Sequence, residues 1–144
     1  SDLADLYEDT ADDAGVTLVT SVPAGLTVSA DRDRLRQALA NLVDNAIKYT
    51  PRGGRAEIAA STCPGQVVIA VSDTGAGISE QDLPRIFDRL YRGDQSRTTR
   101  GLGLGLSLVR AYVEAQGGTV IVRSAPGQGS TFEISLPTPN LSTL

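Results

Sequence analysis

The most informative segment of the chain is Leu39-Ala-Asn-Leu-Val-Asp-Asn-Ala-Ile-Lys-Tyr-Thr50. Read as an α-helix at about 100° per residue, it places Asn41, Asn45 and Lys48 within an arc of roughly 60°. Asparagine is a mediocre helix former, whereas amide oxygens suit a hard divalent cation and lysine suits phosphate. The stripe therefore indicates a metal and phosphate site, with a solvated polar face as the alternative. The opposite face is apolar and is formed by Leu35, Leu39, Leu42, Val43, Ala46 and Ile47.

The composition describes one globular domain that contains no histidine. The chain has 144 residues, of which 40% are hydrophobic and 21% charged. A net charge of -4 argues against nucleic-acid binding, and the single Cys63 cannot form an internal disulfide. No apolar run approaches the roughly 20 residues that span a bilayer, so we expect no direct membrane contact. Without histidine, no imidazole of this chain can serve as base, metal ligand or phosphoacceptor.

Hydrophobic periodicity and turn residues predict an α+β fold. Strands arranged in hairpins with helices between them favour a two-layer sandwich over a doubly wound parallel sheet. We expect a mixed, mostly antiparallel sheet packed on three helices, with one domain over residues 1–137 and a frayed tail over 138–144. The predicted order is helix Leu3–Ala14, hairpin Val16–Thr20 and Leu26–Ser29, a helix from an N-cap at Asp31 to about Tyr49, hairpin Arg55–Cys63 and Gln66–Asp73, a short helix from a Ser79–Asp82 capping box to about Phe87, a mobile loop within Asp88–Arg100, helix Leu104–Gln116, and paired strands Thr119–Ser124 and Ser130–Leu136.

Two glycine clusters carry further chemistry. Asp73-Thr-Gly-Ala-Gly-Ile78 ends a predicted strand, where a buried carboxylate can accept from an exocyclic amine; an ordinary Asx turn is the alternative. Gly101-Leu-Gly-Leu-Gly-Leu106 opens a helix whose free amides suit an anion, with a packed glycine turn as the alternative. Arginines between the clusters are well placed to reach a phosphate, although charged loop residues are commonly just solvated: Arg89, Arg92, Arg97 and Arg100.

The order and spacing of four motifs resemble the ATP-binding catalytic domain of sensor histidine kinases. These motifs are Asn-x3-Asn-x2-Lys, Asp-x-Gly-x-Gly, Phe-x3-Tyr-Arg and Gly-x-Gly-x-Gly-Leu. The domain belongs to the GHKL superfamily, with DNA gyrase, heat-shock chaperones and mismatch-repair ATPases. The resemblance covers roughly Leu3 to Leu136.

The resemblance implies a role for each motif. Asn45 would coordinate Mg2+, Asn41 would support metal or phosphate, and Lys48 and Arg92 would contact phosphate. Asp73 would accept from the adenine amino group. Tyr49 would flank the nucleotide, and Gly75, Gly77 and Ile78 would form the adenine pocket. Phe87 would anchor the start of a lid, the segment that leads to Gly101, and Gly101, Gly103 and Gly105 would hinge this lid and offer amides to phosphate. Leu104 and Leu106 would pack beneath, and Thr131 would assist at adenine through water. Leu102 stands in the phosphate loop where the family commonly has Ser or Thr, and Leu90 replaces a common aromatic residue.

The resemblance also implies a reaction and its partners. The domain would bind Mg-ATP and donate the γ-phosphate to a histidine on its own dimerisation and phosphoacceptor domain, from which phosphate passes to a response regulator. Hydrolytic relatives carry a water-activating glutamate where this chain has Asn41, and asparagine cannot act as a base. We expect a cytoplasmic domain, a parent protein compatible with an inner-membrane anchor, and a homodimer only at full length. The alternatives are a GHKL serine kinase of the anti-sigma type and a non-catalytic, ATP-gated interaction module.

Overall fold

The fold was determined as a computed structural model that describes residues 2–23, 32–87 and 102–138. The predicted strand Leu26–Ser29, the Asp31 cap and the loop within Asp88–Arg100 lie outside the described residues, as do residues 139–144 of the predicted tail. The elements are α1 Asp2–Ala14, β1 Thr17–Ser21, α2 Arg32–Lys48, β2 Arg55–Cys63, β3 Gln66–Asp73, a single 3₁₀ turn Leu83–Arg85, α3 Leu102–Ala115, β4 Thr119–Ser124 and β5 Ser130–Pro137.

One five-stranded sheet of order β1-β2-β3-β5-β4 forms one layer of the fold, and the helices form the other. β1 pairs with β2 in parallel, because the connection between them passes through α2, and the other pairs are antiparallel. The mixed, mostly antiparallel sheet with three α-helices confirms the predicted α+β class. Asp73 at the end of β3 is in register with Ala56 of β2 and Ser130 of β5.

The core lies between one face of the sheet and the helices. Side chains alternate between the two faces of a strand, so Val67, Ile69 and Val71 of β3 are buried while their neighbours are partly exposed. Each fully buried Val, Leu or Ile stabilises the fold by about 1.5–3 kcal/mol. The largest fully buried side chains come from α2, α3, β3 and β5: Leu42, Val43, Val109, Val113, Val67, Val71, Ile134 and Leu136.

Two helical segments differ from the prediction. α3 begins at Leu102 instead of Leu104, because the spacing of Leu102, Leu106, Val109 and Val113 continues the helical period toward the N-terminus. Ser79 does accept the predicted hydrogen bond from the Asp82 N–H, at 3.1 Å, but only one 3₁₀ turn follows it. None of the helices in the described ranges is long and apolar enough to cross a membrane.

Candidate functional site

The polar stripe of α2 lies on its outward face. Asn41 and Asn45 are partly exposed and Lys48 is exposed, whereas Val43 and Ile47 on the opposite face are 0% and 3% exposed. The helix is therefore held by its apolar face, and its amide and ammonium groups remain accessible to a ligand.

Lys48 has an ion-pair partner that was not predicted from the sequence. Its Nζ lies 2.9 Å from the Asp44 Oδ2, one turn earlier on α2. Burial raises the pKa of Tyr7 on α1, the Asp44 carboxylate adds to that rise and the Lys48 ammonium opposes it. The Asp44–Lys48 pair thus lies near α1, and its i,i+4 spacing was the available sequence signal.

Asp73 is a partly buried carboxyl group held by backbone amides. Its Oδ1 accepts a hydrogen bond from the Gly75 N–H at 2.8 Å, and the Ser130 N–H also donates to the carboxylate. Burial raises the pKa of Asp73, and the two backbone hydrogen bonds oppose that rise. The Asx turn and the carboxylate at a strand end are therefore both present, so these two interpretations of the hexapeptide do not exclude each other.

The glycine loop after Asp73 contacts the end of α2. A Cβ added to Gly75 would collide with the Tyr49 carbonyl oxygen, and one added to Gly77, whose φ is 77°, would collide with the Ala125 carbonyl. The Tyr49 hydroxyl oxygen is buried and has no hydrogen-bond partner in the part of the chain that the structure describes. The structure thus brings Asp73, Gly75 and Tyr49 together at the end of the polar stripe.

The glycine loop after Asp73 also contacts the β4–β5 hairpin. The Ile78 N–H donates to the Ser124 Oγ at 2.7 Å, and the Gly127 N–H donates to the Ala76 carbonyl at 2.7 Å. Ser124 and Ser130 were not among the predicted site residues. Their roles depend on strand register, which the sequence alone does not provide.

Thr131 and its neighbour Ser130 point to opposite faces of the sheet. The Thr131 hydroxyl donates to the Ser72 Oγ at 3.2 Å, on the sheet face opposite the helices. Asp73 is in register with Ser130, and successive side chains of a strand point to opposite faces. Ser130, which is 8% exposed, therefore shares the face of Asp73, whereas Thr131 lies on the other face.

The Phe87 ring contacts side chains of both β5 and α3. The ring is edge-on to that of Phe132 on β5, with centroids 6.2 Å apart, and the Arg110 guanidinium lies 5.7 Å from the Phe87 centroid. The Phe87 side chain is therefore held against both β5 and α3.

The remaining predicted residues that the structure describes lie near the start of α3. Arg92 and Gly101 are outside the described residues, together with Leu90. Leu106 is 4% exposed and packs in the core. The backbone at the start of α3, where the first amides have no partner within the helix, contains Leu102, Gly103, Leu104 and Gly105.

The family model described as histidine kinase-, DNA gyrase B-, and HSP90-like ATPase matches residues 30–140. The chain belongs to this ATPase family. SenX3 of Mycobacterium tuberculosis, a sensor-like histidine kinase, is 45% identical over 129 residues, which are 88% of this chain and 32% of SenX3. The adaptive-response sensory kinase SasA of Synechococcus elongatus is 49% identical over 122 residues, 83% of this chain and 32% of SasA. The resemblance to sensor histidine kinases is confirmed, and the chain spans about a third of these curated relatives.

Solved structures agree with this placement in the ATPase family. The catalytic domain of the histidine kinase ThkA matches with a TM-score of 0.83 at 29% identity, over 96% of this chain and 91% of that domain. Full-length ShkA, in complex with AMPPNP, matches with a TM-score of 0.82 at 35% identity, over 94% of this chain and 28% of ShkA. The predicted fold class is confirmed by these structures.

Proposed function

We propose that this chain binds Mg-ATP and transfers the γ-phosphate to a histidine of a separate phosphoacceptor domain. The observation that carries the proposal is the Asp73 carboxylate, held by the Gly75 and Ser130 amides beside Tyr49 at the end of α2. This carboxylate, which can accept a hydrogen bond from a base, is thus close to the end of α2, the helix that carries the accessible amide stripe. AMPPNP in the matching ShkA structure is consistent with a nucleotide ligand.

Asp73 defines the adenine end of the proposed site. An ionised carboxylate only accepts hydrogen bonds, and an exocyclic amino group offers protons to accept. The two backbone amides orient the carboxylate before the ligand arrives, which lowers the cost of binding. Gly75 and Gly77 lack the Cβ atoms that would push the loop away from Tyr49 and Ala125.

The polar stripe and the start of α3 define the phosphate end. No group of three Asp, Glu, His or Cys side chains in the described ranges is arranged to hold a metal ion, so the proposed Mg2+ would have few protein ligands. Mg2+ accepts such an arrangement when phosphates and waters complete its shell, and the Asn45 amide oxygen suits it. A bound Mg2+ would neutralise phosphate charge. Lys48, Arg92 and the first amides of α3 would position the phosphates.

The phosphoryl acceptor lies outside this chain. The sequence has no histidine, and the Asn41 amide cannot act as a base that activates water. Phosphoryl transfer requires positioning and charge neutralisation more than covalent help from the protein. We therefore assign a dimerisation and phosphoacceptor domain, and then a response regulator, as the partners of this site.

A transfer assay tests the proposal. The chain is incubated with ATP labelled at the γ-phosphate and with separate phosphoacceptor domains from its histidine kinase relatives. We expect acid-labile phosphate on an acceptor histidine, and none with Asn45→Ala. Acid-stable phosphate on serine would instead favour the anti-sigma type of kinase. Nucleotide binding without transfer to any acceptor would favour the interaction module.

A further inference from the structure

A serine at the end of β4 connects both sides of the Asp73 pocket. Ser124 Oγ lies 2.7 Å from the Ile78 nitrogen, 2.8 Å from the Gly129 carbonyl oxygen and 2.8 Å from the Ser130 Oγ. Ile78 belongs to the glycine loop of the pocket, whereas Ser130 donates its backbone N–H to the Asp73 carboxylate. One hydroxyl thus joins the loop, the hairpin turn and the strand that hold the site.

The three contacts of Ser124 have a single consistent proton arrangement. A hydroxyl has one proton to donate and two lone pairs that accept. The Ile78 N–H can only donate and the Gly129 carbonyl can only accept, so the proton of Ser124 points to Gly129. The remaining contact then requires Ser130 to donate its hydroxyl proton to Ser124. Ser130 consequently has only lone pairs left for any other partner.

This arrangement fixes the polarity of the pocket. The Ser130 hydroxyl is on the same sheet face as Asp73, and Ser130 is 8% exposed. An ionised Asp73 and a Ser130 without a free proton are both acceptors. A base that presents an amino group, directly or through one water, satisfies two acceptors, whereas a base with a carbonyl at that position satisfies neither.

We propose that Ser124 is a positioning residue that sets base specificity, because it holds the Ser130 hydroxyl as an acceptor and anchors the Ile78 amide. The proposal rests on the proposed ATP-binding function and deepens it. Ser124 acts through Ser130 and the loop and does not itself touch the nucleotide. Its loss would allow the Ser130 hydroxyl to rotate and donate a proton, which a carbonyl-bearing base would accept.

The test compares the binding of ATP with that of inosine triphosphate, which has a carbonyl in place of the amino group. Dissociation constants are measured by calorimetry for the wild-type chain and for Ser124→Ala. We expect the preference for ATP to fall about three- to tenfold in the variant, the range for one neutral hydrogen bond. Ser124→Thr retains the hydroxyl and should restore the preference. Ser72→Ala is the matched control, because its hydroxyl contacts β5 on the opposite face of the sheet.

The outcomes separate this inference from the function on which it rests. A wild-type chain that binds neither nucleotide overturns the proposed function itself. A wild-type chain that prefers ATP, with an unchanged preference in Ser124→Ala, overturns only the role of Ser124. If thermal melting shows that Ser124→Ala does not fold, Ser130→Ala replaces it. That variant removes the acceptor, and a wild-type preference in it would also refute the inference.

Discussion

The Lys48 ammonium lies 2.9 Å from the Asp44 carboxylate, one turn earlier on α2. Both side chains are partly open to solvent, with 43% and 36% exposure. Such pairs contribute little to stability, so this one matters through the position of Lys48. A phosphate that recruits Lys48 has to compete with the Asp44 carboxylate.

Removing the competing charge should strengthen nucleotide binding. In Asp44→Asn we expect the dissociation constant for ATP to fall about twofold at low salt, since a negative group near the phosphates is lost, and less at high salt. Isothermal titration at two salt concentrations measures both effects. Glu114→Gln is the control, because Glu114 forms an i,i+4 pair with Arg110 on α3. Weaker binding in Asp44→Asn would show that Asp44 supports Lys48 instead of competing for it.

Asp73 should make folding stability depend on pH in a defined direction. Burial raises the pKa of Asp73, so the ionised form is less favourable in the folded than in the unfolded chain. The contribution of the Asp73 carboxyl group to stability is fully present below the ordinary carboxyl pKa and is lost as pH rises through the raised pKa. The free energy of unfolding of Asp73→Asn minus that of the wild type should therefore rise from acid toward neutral pH and then level off.

Urea denaturation of both proteins across this pH range measures the difference, which removes the contribution of the other carboxyl groups. A difference between the two that shrinks as pH rises would contradict the assigned environment of Asp73.

Gly75 should tolerate no side chain. The Cβ of Gly75→Ala would collide with the Tyr49 carbonyl and lie 2.9 Å from the Asp73 Oδ1, so the loop or the end of α2 has to move. We expect a loss of about 1–3 kcal/mol in the free energy of unfolding, with weaker ATP binding. Thermal melting and titration measure the two effects. Ala76→Ser, at an exposed neighbouring position, should leave both unchanged. Wild-type stability in Gly75→Ala would rule out the close contact with Tyr49.

Phe87 and Arg110 should be energetically coupled. The guanidinium lies 5.7 Å from the ring centroid, a distance at which cation–π attraction contributes about 0.5–1 kcal/mol at exposed sites. A double-mutant cycle with Phe87→Leu and Arg110→Gln measures the coupling by urea denaturation. The ion pair between Arg110 and Glu114 is lost on both sides of the cycle and cancels. Strictly additive effects would mean that α3 does not hold the ring.

The sequence predicts the strands and the polar stripe well, but not the contacts between strands. The bounds of β2 and β3 are as predicted, because Pro64-Gly65 separates two β-rich runs. Ser130 and Thr131 are adjacent, and only the β3–β5 register decides which of them shares a face with Asp73. The Ile78–Ser124 hydrogen bond joins residues 46 positions apart, and no local pattern predicts such a pair.

Titration of the wild-type chain and Asp73→Asn with a non-hydrolysable ATP analogue, in Mg2+ and then in EDTA, tests the proposed site most directly. We expect metal-dependent micromolar binding to the wild-type chain, and a loss of about 1–3 kcal/mol in Asp73→Asn as the bond to the amino group is removed. Asn45→Ala should lose chiefly the metal-dependent part. Equal affinity of the wild-type chain and Asp73→Asn, or no binding to either, would contradict the proposed nucleotide site.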